Sequence, residues 1–306
     1  MNKFTSLLPL VLALAACGSS EPPAPASSAP AAKAELDQPA TPTPPQSAQQ
    51  TLAYTLDSAI AGDWRSEANK ARDPYRHPKE TLEFFGVKPT GTLIEITPGS
   101  GWYAQILAPL MHASGTYVAA VAKPRKPEGE AAQDKSSLQT MFESDPKLYG
   151  AAQTVVFDGA APVFGPANSA DVVLTFRNVH NWAMGGNAPA MFKGFFEVLK
   201  PGGTLGVVDH RATAGESFDK VKDSGYLPTE YVIKLATDAG FKLVAQSEIN
   251  ANPKDDHHHE QGVWTLPPTF ALGEKDHQKY ADIGESDRMT LKFEKPVGDQ
   301  VFKTKD

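Results

Sequence analysis

Apolar and polar positions follow two patterns along the chain from about residue 51 onward. Short apolar runs rich in β-branched residues are typical of buried strands, and segments with apolar residues three or four positions apart indicate helices. The runs that predict strands are Thr92–Ile96, Tyr117–Ala122, Thr154–Phe157, Asp171–Phe176, Thr204–Val208, Phe241–Ile249 and Met289–Glu294. Because these runs alternate with helical segments, we expect an α/β domain, a doubly wound, mostly parallel seven-stranded sheet with right-handed crossovers.

The stretch from Thr92 to Leu110 combines a strand, a turn with two glycines, and an amphipathic helix. The turn, Thr97–Gly101, has the conformational freedom that Gly99 and Gly101 provide. In a doubly wound sheet such a corner brings backbone amides and a helix N-terminus to a ligand. We therefore predict that a ligand binds here.

The first residues predict export. Lys3 precedes an apolar run, residues 7–16, that is too short to span a bilayer and is typical of a signal peptide. The run ends in Leu-Ala-Ala-Cys17, which resembles the lipobox of bacterial lipoprotein precursors. The resemblance implies removal of residues 1–16 and acylation of Cys17, an anchor in the membrane. Gly18 follows where an aspartate would favour the inner membrane, so we expect an outer-membrane location facing the periplasm. An ordinary signal peptide is the alternative.

Amino-acid composition divides the chain after residue 16 into two parts. Residues 17–50 are dominated by proline, alanine, serine and glutamine, which predicts a disordered tether, and residues 51–306 form one predicted domain. Cys17 is the one cysteine, so the domain has no disulfide and no thiolate metal site. The net charge of -7 argues against nucleic acid as a partner. Oligomeric state leaves no signal in the sequence.

Several joints between helices and strands resemble the class I S-adenosylmethionine-dependent methyltransferases. The most specific is Phe196–Leu205, with the sequence Phe-Glu-Val-Leu-Lys-Pro-Gly-Gly-Thr-Leu, and Ala239–Val244 is a second. The pattern between Arg76 and Gly91, together with Gly284–Thr290, is similar to a narrower group of secreted bacterial "predicted methyltransferases". The resemblance covers residues 65–296. It implies a Rossmann-like methyltransferase fold, S-adenosyl-L-methionine as cofactor and a small-molecule or envelope acceptor.

The resemblance also implies which residues hold the cofactor. The acidic position of the first strand is Glu95, and the turn supplies Thr97, Gly99, Ser100 and Gly101 for the methionyl end. Asp158 and Gly159, after strand three, stand at the position that contacts the adenine. Asn178, after strand four, is a further predicted cofactor residue. Many family members end strand two with an acid, but Lys123 stands at that end here. The two turn glycines could also serve only a tight turn, and Asp158 could be a solvated turn residue.

Three residues are candidates for catalysis. His180 follows strand four and could act as a general base for an acceptor that carries a proton. Asp209 and His210 end strand five, where ligands bind in open α/β sheets. Hydrogen-bonded structural roles are equally open for these residues. The run His257–His259 could bind a metal by composition, but three consecutive side chains converge poorly on one ion, so we predict no metal site and a solvated loop.

Three functions fit these patterns to different degrees. The first is methyl transfer by a membrane-anchored lipoprotein. The second is a catalytically inactive, ligand-binding lipoprotein of the cell envelope, which the altered turn at Thr97 and the absent acid at Lys123 favour. A nicotinamide oxidoreductase is disfavoured because Ala104 occupies the third glycine position of the dinucleotide motif.

Overall fold

The computed structural model describes residues 53–123 and 136–298, which belong to one unit, Gln49–Asp306. The predicted signal peptide, Cys17 and the tether lie outside the described residues. The three-part division of the chain therefore stays a prediction.

A seven-stranded sheet is the framework of this unit, with the strand order β3-β2-β1-β4-β5-β7-β6. Its strands are β1 (Thr90–Ile96), β2 (Ser114–Ala122), β3 (Gln153–Phe157), β4 (Ala170–Phe176), β5 (Leu199–His210), β6 (Lys242–Ser247) and β7 (Arg288–Glu294). Each overlaps a strand predicted from the hydrophobic pattern. The seven strands and the doubly wound arrangement are confirmed.

The sheet is mixed, because β7 runs antiparallel to both β5 and β6. The connection from β6 to β7 explains this direction. It leaves β6 after Ser247 and returns to the same edge of the sheet, where Arg288 pairs with His210 at the end of β5. A chain that re-enters the sheet at the edge it left must run in the opposite direction. The carboxyl ends of β1 to β6 lie along this side of the sheet, which we call the carboxyl edge.

Helices cover both faces of the sheet. They are α1 (Leu56–Ala61), α2 (Glu67–Lys70), α3 (Asp73–Arg76), α4 (Pro78–Phe85), α5 (Ala104–Met111), α6 (Ser137–Ser144), α7 (Pro146–Tyr149), α8 (Val179–Met184), α9 (Ala188–Val198), α10 (Phe218–Val221), α11 (Thr229–Asp238) and α12 (His277–Ile283). The short helices α2, α3, α7, α8, α10 and α12 were not predicted from the sequence. Within the described ranges, every helix is too short or too polar to cross a membrane.

Two hydrophobic cores pack on opposite faces of the sheet, as the two-residue period of a strand requires. In β1, Ile94 and Ile96 face one core, which contains α9 and α11. Leu93 faces the other core, which contains α4 and α5. Glu95 has the same parity as Leu93, so its carboxyl group points into an otherwise apolar layer at the carboxyl edge.

The segment from α1 to α4 covers the beginning of α5. The indole of Trp64 donates to the carbonyl of Gln105 at 2.7 Å, and that of Trp102 donates to the carbonyl of Asn69 at 3.0 Å. These bonds hold α2 and α3 beside the glycine turn. Two arginines of this segment, Arg72 and Arg76, therefore reach the predicted ligand corner.

Candidate functional site

The glycine turn has the left-handed conformations that its sequence predicts. Gly99 and Gly101 have φ values of 60° and 89°. A Cβ atom on Gly101 would lie 2.8 Å from Met141 Cε, whereas a Cβ on Gly99 would meet nothing within 4 Å. Gly101 is thus needed for packing, and Gly99 leaves open space beside the turn.

Thr97 also adopts a left-handed conformation, with φ of 51°. This is costly for a β-branched residue, and such strain persists where the surroundings enforce it. The amide of Thr97 donates to the carbonyl of Ala120 at 2.8 Å, and Asn178 Nδ2 donates to the carbonyls of Ile96 and Thr97 at 3.0 and 3.3 Å. Asn178 therefore fixes the turn from β4. The hydroxyl of Thr97 is buried and has no hydrogen-bond partner among the residues that the structure describes.

Glu95 is buried at the base of the turn and is 3% exposed. Its Oε2 accepts a hydrogen bond of 2.6 Å from the hydroxyl of Tyr117. Burial raises the pKa of Glu95 to about 7, although the bond from Tyr117 opposes the shift. A cationic group beside this carboxyl would favour its ionised form.

Four arginines surround one buried carboxylate next to the turn, an arrangement that the sequence analysis missed. Glu285 accepts from Arg72 Nε at 2.6 Å, from Arg76 Nε at 3.1 Å and from Arg288 Nη1 at 3.1 Å. Burial alone would raise the pKa of Glu285, but the arginines, Arg177 among them, lower it to about 2. We call Arg72, Arg76, Arg177, Glu285 and Arg288 the arginine cluster.

Arg177 joins this cluster from the end of β4. Its φ of 60° is left-handed, and its amide donates to the carbonyl of Val208 at 2.7 Å. A strained residue at the carboxyl edge is typical of functional positions. Burial lowers the pKa of Arg177 to about 10 and that of Arg76 to about 9, so both stay protonated at neutral pH.

A cavity of about 130 Å³ lies between the turn and the arginine cluster. Five predicted cofactor residues line it: Glu95, Thr97, Gly99, Ser100 and Asn178. Whole ligand pockets usually enclose roughly 300–1,000 Å³. The cavity therefore suits one polar end of a larger ligand. Its remaining walls are Arg72, Arg76, Pro98, Trp102, Tyr103, Phe176 and Arg177.

The other predicted cofactor residues lie apart from this cavity. Gly101 lies in the turn, packed against α6, and Asp158 and Gly159 follow β3. Two strand spacings, about 10 Å, separate the end of β3 from that of β1. The side chain of Asp158 is exposed and accepts from the amide of Ala160 at 2.9 Å, and Lys123 at the end of β2 is exposed too.

The three candidate catalytic residues are brought together at the ends of β4 and β5. Asp209 is fully buried, and its Oδ1 lies 2.8 Å from His180 Nδ1. The rings of His180 and His210 are 4.9 Å apart, and His210 Nδ1 lies 2.6 Å from the hydroxyl of Ser286. Burial lowers the pKa of His210 well below its ordinary value, and the neighbouring His180 lowers it further. His210 is therefore neutral at pH 7.

Both carboxylate oxygens of Asp209 already accept hydrogen bonds from the protein. Its Oδ2 accepts from the amides of Val179 and His180 at 2.6 and 3.4 Å, and its Oδ1 accepts from the amide of His210 at 2.8 Å. The three side chains offer ligand atoms within 4.8 Å of one another, as a metal site would. A carboxylate with this many donors is better suited to orienting His180 than to binding a cation.

The histidine run is more ordered than the predicted solvated loop. His257 Nε2 lies 3.2 Å from Asp287, and His259 Nε2 lies 2.8 Å from the buried Asp255. His258 alone of the three is exposed. The sequence could not reveal Asp287 as a partner of His257, because Asp287 lies thirty positions further along the chain.

Comparisons with known proteins bear on the fold. No protein-family model and no curated protein sequence matches this chain. Among solved structures, the [4+2]-cyclase SpnF has 18% identity and a TM-score of 0.50, covering 79% of this chain and 92% of its own.

Two further similar structures are named as methyltransferases. A putative sarcosine dimethylglycine methyltransferase from Galdieria sulphuraria has 14% identity and a TM-score of 0.49, covering 74% of this chain and 86% of that one. A SAM-dependent methyltransferase from Aquifex aeolicus has 16% identity and a TM-score of 0.46, covering 64% and 94%. At these identities the likeness concerns the fold. The chain has a Rossmann-like fold built on a mixed seven-stranded sheet.

Proposed function

We propose that this chain is an S-adenosylmethionine-dependent methyltransferase that acts on a small-molecule or envelope acceptor. The observation that carries the proposal is the cavity at the end of β1, where Glu95, the glycine turn and Asn178 face one another. The solved structures of similar fold whose names include SAM-dependent methyl transfer support it.

The residues at the turn fit the amino-acid end of this cofactor. The buried hydroxyl of Thr97 has no partner, Gly99 leaves open space, and Glu95 is a carboxyl that can accept from an ammonium group. The bound cofactor would supply an activated methyl group. Glu95, Thr97, Gly99, Ser100 and Asn178 would hold its amino-acid end, Gly101 would shape the turn against α6, and Asp158 and Gly159 would hold its adenine.

His180 would serve as the base for an acceptor that loses a proton. If Nδ1–H donates to Asp209, the ring presents Nε2 as the proton acceptor. His210, held neutral beside it, adds no repelling charge. Methyl transfer itself depends mainly on alignment of donor and acceptor, so the chain contributes position and exclusion of water.

A second candidate function is a catalytically inactive protein that binds a ligand in the same cleft. Lys123 at the end of β2 and the strained Thr97 favour this alternative. The [4+2]-cyclase of similar fold also shows that this architecture is not confined to one reaction. Turnover with any acceptor would exclude it.

Binding of S-adenosylhomocysteine, the demethylated product, tests the proposal by calorimetry. We expect measurable binding to the wild-type chain, and an affinity at least tenfold lower in Gly99→Ala, because the added Cβ enters the space beside the cavity. Left-handed strain should also lower the stability of this variant by about 1 kcal/mol.

Gly273→Ala is the matched control for this experiment. Gly273 has a φ of 59°, and a Cβ there would also meet nothing within 4 Å. The two substitutions should therefore cost similar stability, while Gly273→Ala keeps wild-type affinity. Equal affinity in both variants, or no binding to the wild-type chain, contradicts the proposal.

We further propose that the chain is a lipoprotein, anchored in the outer membrane and facing the periplasm. The sequence Leu-Ala-Ala-Cys17 after a short apolar run supports this proposal. Metabolic labelling with a palmitate analogue should label the wild-type protein, and Cys17→Ala should abolish the label. Equal labelling of both proteins, or of neither, would show that Cys17 is not acylated.

A further inference from the structure

The cavity beside the glycine turn carries more positive charge than its own protein partners neutralise. Arg72, Arg76 and Arg177 line it, and Arg288 packs behind them. The one carboxylate in contact with these guanidinium groups, among the residues described, is Glu285. Glu95, with a pKa of about 7, supplies only part of a second negative charge at neutral pH.

Two nitrogen atoms of the arginine cluster are left without acceptors in the described part of the chain. The Nη2 atoms of Arg72 and Arg76 are buried and have no hydrogen-bond partner within residues 53–123 and 136–298, and Arg76 as a residue is only 3% exposed. A buried donor without an acceptor costs about 1–3 kcal/mol, more when it is charged. Both residues also line the cavity, so a ligand in the cavity would meet guanidinium charge that the chain does not fully compensate.

Neighbouring groups hold these arginines in place. The guanidinium of Arg76 lies 4.5 Å from the ring centroid of Trp102, a cation–π contact. Its carbonyl accepts from Tyr103 Oη at 3.3 Å, and Tyr103 stacks on Phe176 with a centroid separation of 3.6 Å. The backbone of Arg177 is fixed by the bond from its amide to the carbonyl of Val208. Such preorganisation reduces the entropy lost on binding.

We infer that this cavity is an oxyanion subsite, in which Arg72, Arg76 and Arg177 bind a carboxylate or phosphate group of a ligand. Guanidinium groups match the planar geometry of these anions and bind them through charge-assisted hydrogen bonds. The subsite rests on the proposed function only where the oxyanion is the carboxylate of the cofactor. The oxyanion comes either from the amino-acid end of the cofactor or from an acidic acceptor, and both present the same chemistry.

Arg177→Gln is the most informative variant for a test. The other arginines of the cluster bind Glu285, so their removal would disturb the fold, whereas Arg177 makes no hydrogen bond through its side chain within the described part of the chain. Lys234→Gln is the control. It removes one positive charge from an exposed pair with Asp238.

Four probes are titrated by calorimetry into the wild-type chain and both variants at constant ionic strength. They are acetate, inorganic phosphate, S-adenosylhomocysteine, and 5′-methylthioadenosine, which lacks the amino-acid group. We expect at least one oxyanion probe to bind about tenfold more weakly to Arg177→Gln than to the wild-type chain and to Lys234→Gln.

The pattern of binding distinguishes the sources of the oxyanion. If S-adenosylhomocysteine loses affinity in Arg177→Gln and 5′-methylthioadenosine does not, the subsite binds the carboxylate of the cofactor. If only acetate or phosphate loses affinity, it binds an acidic acceptor.

The same titrations separate this inference from the proposed function. Binding of phosphate or acetate without either nucleoside would retain the subsite and remove the methyltransferase proposal. Nucleoside binding that Arg177→Gln leaves unchanged, with no response to the small anions, would overturn the subsite alone. No response to any probe would overturn both.

Discussion

Replacing Glu285 with glutamine is expected to lower the free energy of unfolding by about 3–5 kcal/mol, the range for breaking a buried ion pair. Glu285 is 4% exposed and is shared by Arg72, Arg76 and Arg288. Glutamine keeps the size of the side chain but removes its charge, which leaves buried guanidinium groups next to one another. Urea unfolding, followed by tryptophan fluorescence, measures the loss.

Glu248→Gln is the control for Glu285. Glu248 pairs with Arg211 at 2.8 Å, but its side chain is 71% exposed. Water screens such a pair, so its loss should change stability by less than about 1 kcal/mol. Similar losses in the two variants would show that the arginine cluster does not depend on its carboxylate.

The same carboxylate predicts a dependence of stability on pH. The pKa of Glu285 falls from an ordinary value of 4.5 to about 2 in the folded chain. A lowered folded-state pKa means that the stabilisation is complete above about pH 4.5 and is lost as the pH falls toward 2. Glu285→Gln should flatten the wild-type decline in this window. If the stability of Glu285→Gln declines with falling pH as steeply as that of the wild type, groups other than Glu285 cause the loss of stability in acid.

Asp209→Asn is expected to cost about 3 kcal/mol of stability and to impair catalysis. Asp209 is fully buried and accepts from three backbone amides and from His180. Hydrogen bonds to charged groups contribute about 1.5–3 kcal/mol each, and asparagine presents a donor where one carboxylate oxygen accepts. Under the proposed function, loss of the group that orients His180 should lower kcat by roughly 10²-fold or more, the range for losing a general base.

Two variants separate the structural and catalytic parts of this effect. Asp238→Asn, at an exposed pair with Lys234, should leave both stability and activity unchanged. His180→Gln should keep most of the stability, because the amide bonds to Asp209 remain, and should still lose activity. Full activity in His180→Gln would contradict the role of this residue as a base.

The sequence predicted the parts of the site that depend on local pattern. The apolar run of β1, the two glycines and the stripe of α5 each occur within a few residues, and the structure has the predicted order of strand, glycine turn and helix. His180 after strand four and Asp209 at the end of strand five were named as separate candidates, and the structure brings their side chains within 2.8 Å of each other.

Contacts between residues far apart in the sequence, and the direction of β7, could not be predicted in the same way. Glu285 lies 209 positions from Arg76, and nothing in the local pattern of either residue indicates the other. The antiparallel direction of β7 depends on the course of residues 248–287, which have no strand periodicity. The strain at Arg177 likewise arises from packing at the end of β4 and leaves no signal in the residue type.

A crystal structure of the chain with S-adenosylhomocysteine tests the central claim most directly. The account predicts that the amino-acid end of the ligand lies in the cavity between Gly99, Asn178 and the arginine cluster, with its nucleoside directed toward Asp158. A ligand bound elsewhere on the chain, with this cavity closed by the protein's own side chains, would contradict it.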